Sequence, residues 1–279
     1  MKWILKIALL AVALYALYIF ISSYIGPLAI RPGPGQVHDP LLAPLLQQYA
    51  DAVDAKKGSL QERLSLGMAY EAAELYVLAE QTYGQLVELT PNEPISWYRL
   101  AVVQERQGDL HKAIASLFEA SMRTPEGMAS PFLQLALWYL DVGNVELAKV
   151  NVNKASVFLP NAPQLVIAQV RIALAENNPE DAVRLLTKNG VMQTIPNNYG
   201  WQLLGRAYRT QGKIELAREA WGRAGSSRPR WGDPWSGEVA GYVAGLREMK
   251  QRIGSLAKEG SIEQAQKLIQ EYYTYKSDD

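Results

Sequence analysis

The 279-residue chain carries 28 basic and 28 acidic residues, two histidines and no cysteine, so its formal net charge is zero. Disulfides, thiol catalysis and cysteine-bound metals are excluded, and the chain has no continuous basic stripe of the kind that binds nucleic acid. His38 and His111 lie in different segments, so no histidine pair exists at metal or proton-relay spacing.

The first predicted element is a transmembrane helix. Ile7 to Ile30 contains no charged residue, and Ile7 to Ile25, at about 1.5 Å per residue, is long enough to cross a hydrocarbon layer of roughly 30 Å. The run exceeds the apolar centre of a cleaved signal peptide and ends without a small-x-small cleavage site. Lys2 and Lys6 precede it and only Arg31 follows closely, so the positive-inside rule places the amino terminus in the cytoplasm and the body on the far side. In a Gram-negative cell that is the periplasmic face of the inner membrane. Residues 26–37, with Pro27, Pro32 and Pro34 among glycines, are expected to form a partly extended linker. Asp39 and Pro40 then have the pattern of an N-cap and a first helical turn, opening a capping helix within 38–59 whose apolar side holds Leu41, Leu42, Leu45, Leu46 and Tyr49.

From residue 60 to 231 the chain repeats at a spacing of about 34 residues. Trp201, Leu204, Gly205, Tyr208, Ala217, Trp221, Ala224 and Pro229 form the clearest unit. Against it register Leu66, Gly67, Tyr70, Ala79, Tyr83 and Pro91, then Trp97, Leu100, Ala101, Gly108, Ala113, Leu117, Ala120 and Pro125, then Leu135, Ala136, Tyr139, Gly143, Ala148, Ala155 and Pro160. A fourth, degenerate unit has Val170, Ala173, Asn177, Ala182 and Leu186, its proline delayed to Pro196. Small residues let two antiparallel helices approach while the large ones fill the space beside them, with Gly205 expected to face Ala217. Gly108, Gly143, Asn177 and Gly212 sit where the first helix of each pair must end. Residues 232–279 close the series, with Asp233 and Pro234 opening a helix to about Lys258, Trp231 and Trp235 packing as a cap, and Gly260, Ala265 and Ile269 marking a worn sixth hairpin.

This pattern resembles the tetratricopeptide repeat. The resemblance implies an all-α, right-handed α-solenoid of about five to six hairpins, in which the first helices line a concave groove that binds protein segments. Register then names Tyr98, Arg99, Arg171, Tyr199, Gln202, Arg206 and Arg209 as partner-binding residues, together with Leu64, Met68 and Glu71 in the first unit. The family's chaperone-tail clamp is not matched, since Leu64 and Met68 stand where lysine and asparagine are required. No cofactor, metal or catalytic residue is expected, because Ser59, Ser65, Ser116 and Ser121 have no histidine neighbour and no phosphate-cradling loop is present. Charge is polarised: His38 to Gly127 holds seven basic and thirteen acidic residues, whereas Pro163 to Trp231 holds ten basic and five acidic. The carboxy-terminal arginines therefore suit an acidic helix or extended segment. The expected function is a membrane-anchored scaffold for assembly of an envelope complex; a cytosol-facing or organelle adaptor and a module of a polysaccharide or peptidoglycan system are the other readings.

Overall fold

Among the described residues six helices end with one backbone device. At Glu74, Gly108, Gly143, Asn177, Gly212 and Gly260 the chain takes a left-handed conformation, φ between 56° and 88°. The next residue's N–H then reaches back five residues to a carbonyl, as Leu75 to Tyr70 and Lys213 to Tyr208 at 2.9 Å, and Ser261 to Leu256 at 2.9 Å. This cap satisfies carbonyls that a helix end leaves unpaired, and glycine or asparagine occupies five of the six positions because neither is much penalised there.

The structure, a computed structural model, describes residues 3, 10–15, 17–18, 25–188, 190–225, 229 and 236–276. They are helical throughout their regular elements: α1 (Leu42–Ala55), α2 (Leu60–Ala72), α3 (Tyr76–Leu89), α4 (Pro94–Arg106), α5 (Leu110–Arg123), α6 (Ser130–Asp141), α7 (Val145–Ser156), α8 (Pro163–Ala175), α9 (Pro179–Thr187), α10 (Val191–Thr194), a short 3-10 turn (Pro196–Asn198), α11 (Tyr199–Thr210), α12 (Ile214–Gly222), α13 (Ser236–Ala240), α14 (Gly245–Lys258) and α15 (Ile262–Lys276). Two compact units result, one from residues 1–109 with 235–279, the other from 110–234.

In the first unit α2 and α3 pack as expected. Gly67 faces the ring of Tyr83, and Leu66, Tyr70, Ala79, Tyr83 and Leu86 are wholly buried. In the second unit a continuous core runs through α6 to α11, with Leu137, Ala148, Val152, Leu165, Ala168 and Leu203 among its members. The fourth unit is irregular here too: α9 has nine residues, and the delayed Pro196 introduces two successive left-handed residues, Asn197 and Asn198. Gly205 faces Trp221 rather than Ala217, because a Cβ at Gly205 would lie 2.3 Å from the indole Nε1.

Part of the segment expected to be a partly extended linker is bonded to the first unit. Residues 27–31 lie as a strap along the first unit, with Ala29 buried. An extended proline-containing segment has no internal hydrogen bonds, so its carbonyls need outside donors. Arg63, fully buried, donates to Pro27 O at 2.8 Å and to Lys57 O at 2.7 Å; Gln85 donates to Leu28 O at 3.2 Å and the Tyr70 hydroxyl to Ile30 O at 2.6 Å. Burial pushes the Tyr70 phenol up to about 12, which keeps it a donor. Ala29 N–H donates to Asp54 at 2.8 Å, and Arg31 bridges Asp54 and Asp51 at 2.6 and 2.9 Å.

The ends also differ from expectation. Asp39 caps α1 through its carboxylate, 2.9 Å from Leu41 N and 3.1 Å from Leu42 N, although the helix itself begins at Leu42. The single helix expected up to Lys258 is broken into α13 and α14, and Trp231, Asp233, Pro234 and Trp235 lie outside the described residues. The run expected to cross a membrane falls partly outside them as well, at residues 7–9, 16 and 19–24. Among the described residues no helix is long and apolar enough to cross one.

Candidate functional site

The seven groove residues divide into two groups. Tyr98 and Arg99 on α4 are buried, so neither offers the surface that register assigned to it. Arg99 is committed to Glu71 of α2: its Nε donates to Glu71 Oε2 at 3.1 Å, Nη2 contacts Oε1, and the Tyr83 hydroxyl donates to Oε2 at 3.0 Å. The side chains of Arg99 and Glu71 are 1% and 9% exposed. Burial alone would lower the guanidinium pKa, but the adjacent carboxylate overrides it and raises the value, so the ion pair is locked in its charged form. Burial beside that carboxylate likewise pushes the Tyr83 phenol well up. Arg99 Nη1 has no hydrogen-bond partner among the described residues. This network ties α2, α3 and α4 together; it is structural polarity inside the first unit.

In the second unit Arg171 is held by Asp141, 2.6 Å away, with 12% of its side chain exposed, and Tyr199 is buried in the core. These two positions frame the surface rather than present it. Gln202, Arg206 and Arg209 lie on one face of α11, spaced by four and three residues, the first half-buried and both arginines exposed. Arg209 rests against Trp221, its guanidinium carbon 5.9 Å from the ring centroid, which gives a long side chain a preferred direction. Arg206 forms no ion pair among the described residues. By contrast Arg218 on α12 and Arg223 at its C-cap are paired with Glu215 and Glu219. An exposed cation beside an oriented one and an amide can fork onto carboxylates of a docked segment.

A crevice of about 350 Å³ between α7, α8 and α9 was not anticipated from the sequence. Lys149 stands at its edge, bonded to Glu176 and, at 3.3 Å, to Glu146, while Asp181 and Arg184 pair across the other side. Its charges are mutually satisfied. No group of three or more metal-ligating side chains occurs among the described residues.

Antiparallel helical hairpins, one of them with an exposed first-helix face on α11, define the class: a helical-repeat scaffold. The family model described as Tetratricopeptide repeat matches residues 64–127, so this stretch of the chain is similar to that repeat. No curated protein matches the sequence. Among solved structures, the chain is similar to YrrB, described as a TPR protein with an unusual peptide-binding site, at 14% identity and a TM-score of 0.53 over 64% of this chain and 91% of that one. It is similar to PilW, described as a widely conserved type IV pilus biogenesis factor, at 14% identity and a TM-score of 0.54 over 65% and 84%. MamA from Desulfovibrio magneticus RS-1 aligns at 12% identity and a TM-score of 0.52 over 59% and 92%. At these identities the likeness is one of fold.

Proposed function

We propose that the chain is a membrane-anchored scaffold that holds a protein partner at the periplasmic face of the inner membrane, as an assembly factor or accessory subunit of an envelope complex. The observation that carries it is the α11 face, where Arg206 and Arg209 are exposed beside half-buried Gln202 while Arg218 on α12 and Arg223 at its C-cap are already paired with carboxylates. The partner is an acidic helix or extended segment. Anchoring is supported by the uncharged run 7–25, whose described side chains Leu10, Val12, Leu14 and Leu17 are 51–67% exposed and so find no core to enter. The strap supports it further, because it begins only two residues after Ile25 and would keep the first unit beside the bilayer. PilW, described as a type IV pilus biogenesis factor, has the same kind of fold.

The test is co-purification in mild detergent. Arg206→Ala with Arg209→Ala is expected to remove the main partner with the melting temperature nearly unchanged, and Arg218→Ala with Arg223→Ala to leave binding intact. Retained binding in the first variant refutes the α11 surface. A periplasmic-type reporter fused after Asp279 is expected to be active; a signal only from a cytoplasmic-type reporter reverses the topology.

A further inference from the structure

Helix α1 buries Leu46, Ala50 and Val53 and, in the repeat register, is a second helix without a first. Its open side is covered by residues from the other end of the chain. The Tyr242 ring lies 5.8 Å from that of Tyr49, and the Tyr242 hydroxyl is 3.0 Å from Ser65 Oγ on α2. Val239, one helical turn before Tyr242, packs with it against the first unit's core.

Polar contacts fix the register of this cover. Asp39, which already caps α1, accepts Leu246 N–H at 2.7 Å through its second oxygen, so one carboxylate holds the starts of two helices 207 residues apart. Gly245 makes that approach feasible: its φ is +68°, and a Cβ there would lie 2.4 Å from Asp39 Oδ2. Arg247 then donates to Ala72 O at 2.8 Å and pairs with Glu74 at 3.0 Å. The cover is nonetheless lightly built. No residue of α14 is buried, α13 has five residues, and a crevice of about 340 Å³ stays open between Leu41 and Leu45, at and just inside the start of α1, and Met249 and Leu268 of the hairpin. Segments with few buried apolar contacts open at the low end of the local stability scale.

We propose that residues 236–249 are a displaceable ligand carried in cis, and that the α1–α2 face beneath them is a second docking surface, distinct from α11. Its partner is a protein segment with an aliphatic residue and a tyrosine one helical turn apart, followed by an arginine. The chemistry is read from the occupant itself, and the sign of charge agrees: Asp39 and Glu74 receive a helix N-terminus and a guanidinium, in a stretch with seven basic and thirteen acidic residues. A tethered segment acts at an effective concentration of about millimolar, so a free competitor binds weakly until the tether's contacts are lost.

The experiment uses the full chain in detergent and a fluorescein-labelled synthetic peptide of residues 236–258, followed by anisotropy. The full-length variant Tyr242→Ala with Arg247→Ala, altered only in the cover, is expected to bind the peptide saturably and at least about tenfold more tightly than the unaltered protein. A peptide bearing the same two substitutions is expected not to bind. Equal binding to both proteins, or no binding to a variant that retains its helical signal, overturns the proposal. Hydrogen exchange on the unaltered protein supplies an arm independent of the variant's folding. Amides of 236–249 are expected to exchange well before those of α2 and α3, and exchange of both in one cooperative step shows that the segment is integral and refutes displacement.

Discussion

Two glycines on adjacent helices of the first unit should respond to alanine with opposite signs. Gly67 on α2 has no room: an added Cβ would lie 2.3 Å from Tyr83 Cε1 and 2.8 Å from Cδ1, both well inside ordinary contact. The ring cannot swing aside cheaply, because it is fully buried and its hydroxyl is bonded to Glu71, which holds Arg99. Overpacking of this kind costs about 1–3 kcal/mol, against a helix-propensity gain of about 1 kcal/mol, so Gly67→Ala is expected to destabilise by about 1 kcal/mol. Gly84 on α3 has nothing within 4 Å of the corresponding position. Gly84→Ala gains propensity alone and should stabilise by about 0.5–1 kcal/mol. For a chain of this size each kcal/mol moves the melting temperature by about 2–4 °C, so circular dichroism at 222 nm should show one transition lowered and the other raised. A Gly67→Ala protein melting at or above the parent refutes the packing assigned to α2 and α3, and with it the register of the first repeat.

At Gly205 the obstructing ring belongs to Trp221, which is 39% exposed and can rotate outward, so Gly205→Ala is expected to melt within about 1 °C of the parent; a loss as large as that at Gly67 contradicts the difference in burial. Arg99→Met should cost about 3–5 kcal/mol, because it leaves the Glu71 carboxylate buried and uncompensated, whereas Arg99→Met with Glu71→Leu should recover much of that loss; equal melting of the single and double variants refutes the pair's isolation from solvent. Asp54 is pH-sensitive in a defined direction. Its burial pushes the carboxyl up, but the Ala29 N–H and the Arg31 guanidinium outweigh that and hold it below the ordinary range. The unfolded chain therefore binds the proton first, and the strap's contribution is present above about pH 4 and lost as pH falls through the lowered value. The melting difference between the parent and Asp54→Asn should shrink between pH 6 and pH 3, and a pH-independent difference refutes it.

What repeats in this chain was legible, and what occurs once was not. The small and large residues recurring every 34 or so positions dictate hairpins, and the turns at Gly108, Gly143, Asn177 and Gly212 fall where periodicity placed them. On α11, spacing alone brought Gln202, Arg206 and Arg209 to one face. The same register failed at Arg99, because a position on the expected groove says nothing about whether a carboxylate one helix away draws the side chain inward. The strap was invisible for a related reason: its carbonyls are satisfied by Arg63, Tyr70 and Gln85, 36, 40 and 57 residues distant, and such donors have no period to detect.

The carboxy-terminal cover extends that point to the thermodynamics. In a linear solenoid each hairpin touches only its neighbours, and stability is approximately a sum of repeat and interface contributions. Here residues 239–247 contact α1 and α2 across 175 to 207 positions of sequence. Closing so long a loop costs little more than closing a short one, since the entropy grows only with the logarithm of length. A few contacts around Tyr242, Leu246 and Arg247 can therefore hold the segment in place without burying α14, and the same small number of contacts makes it removable. An apolar end that a conventional terminal helix would cover permanently is instead covered by a tether, so the stability of the first unit and the availability of its α1–α2 face are set by the same bonds.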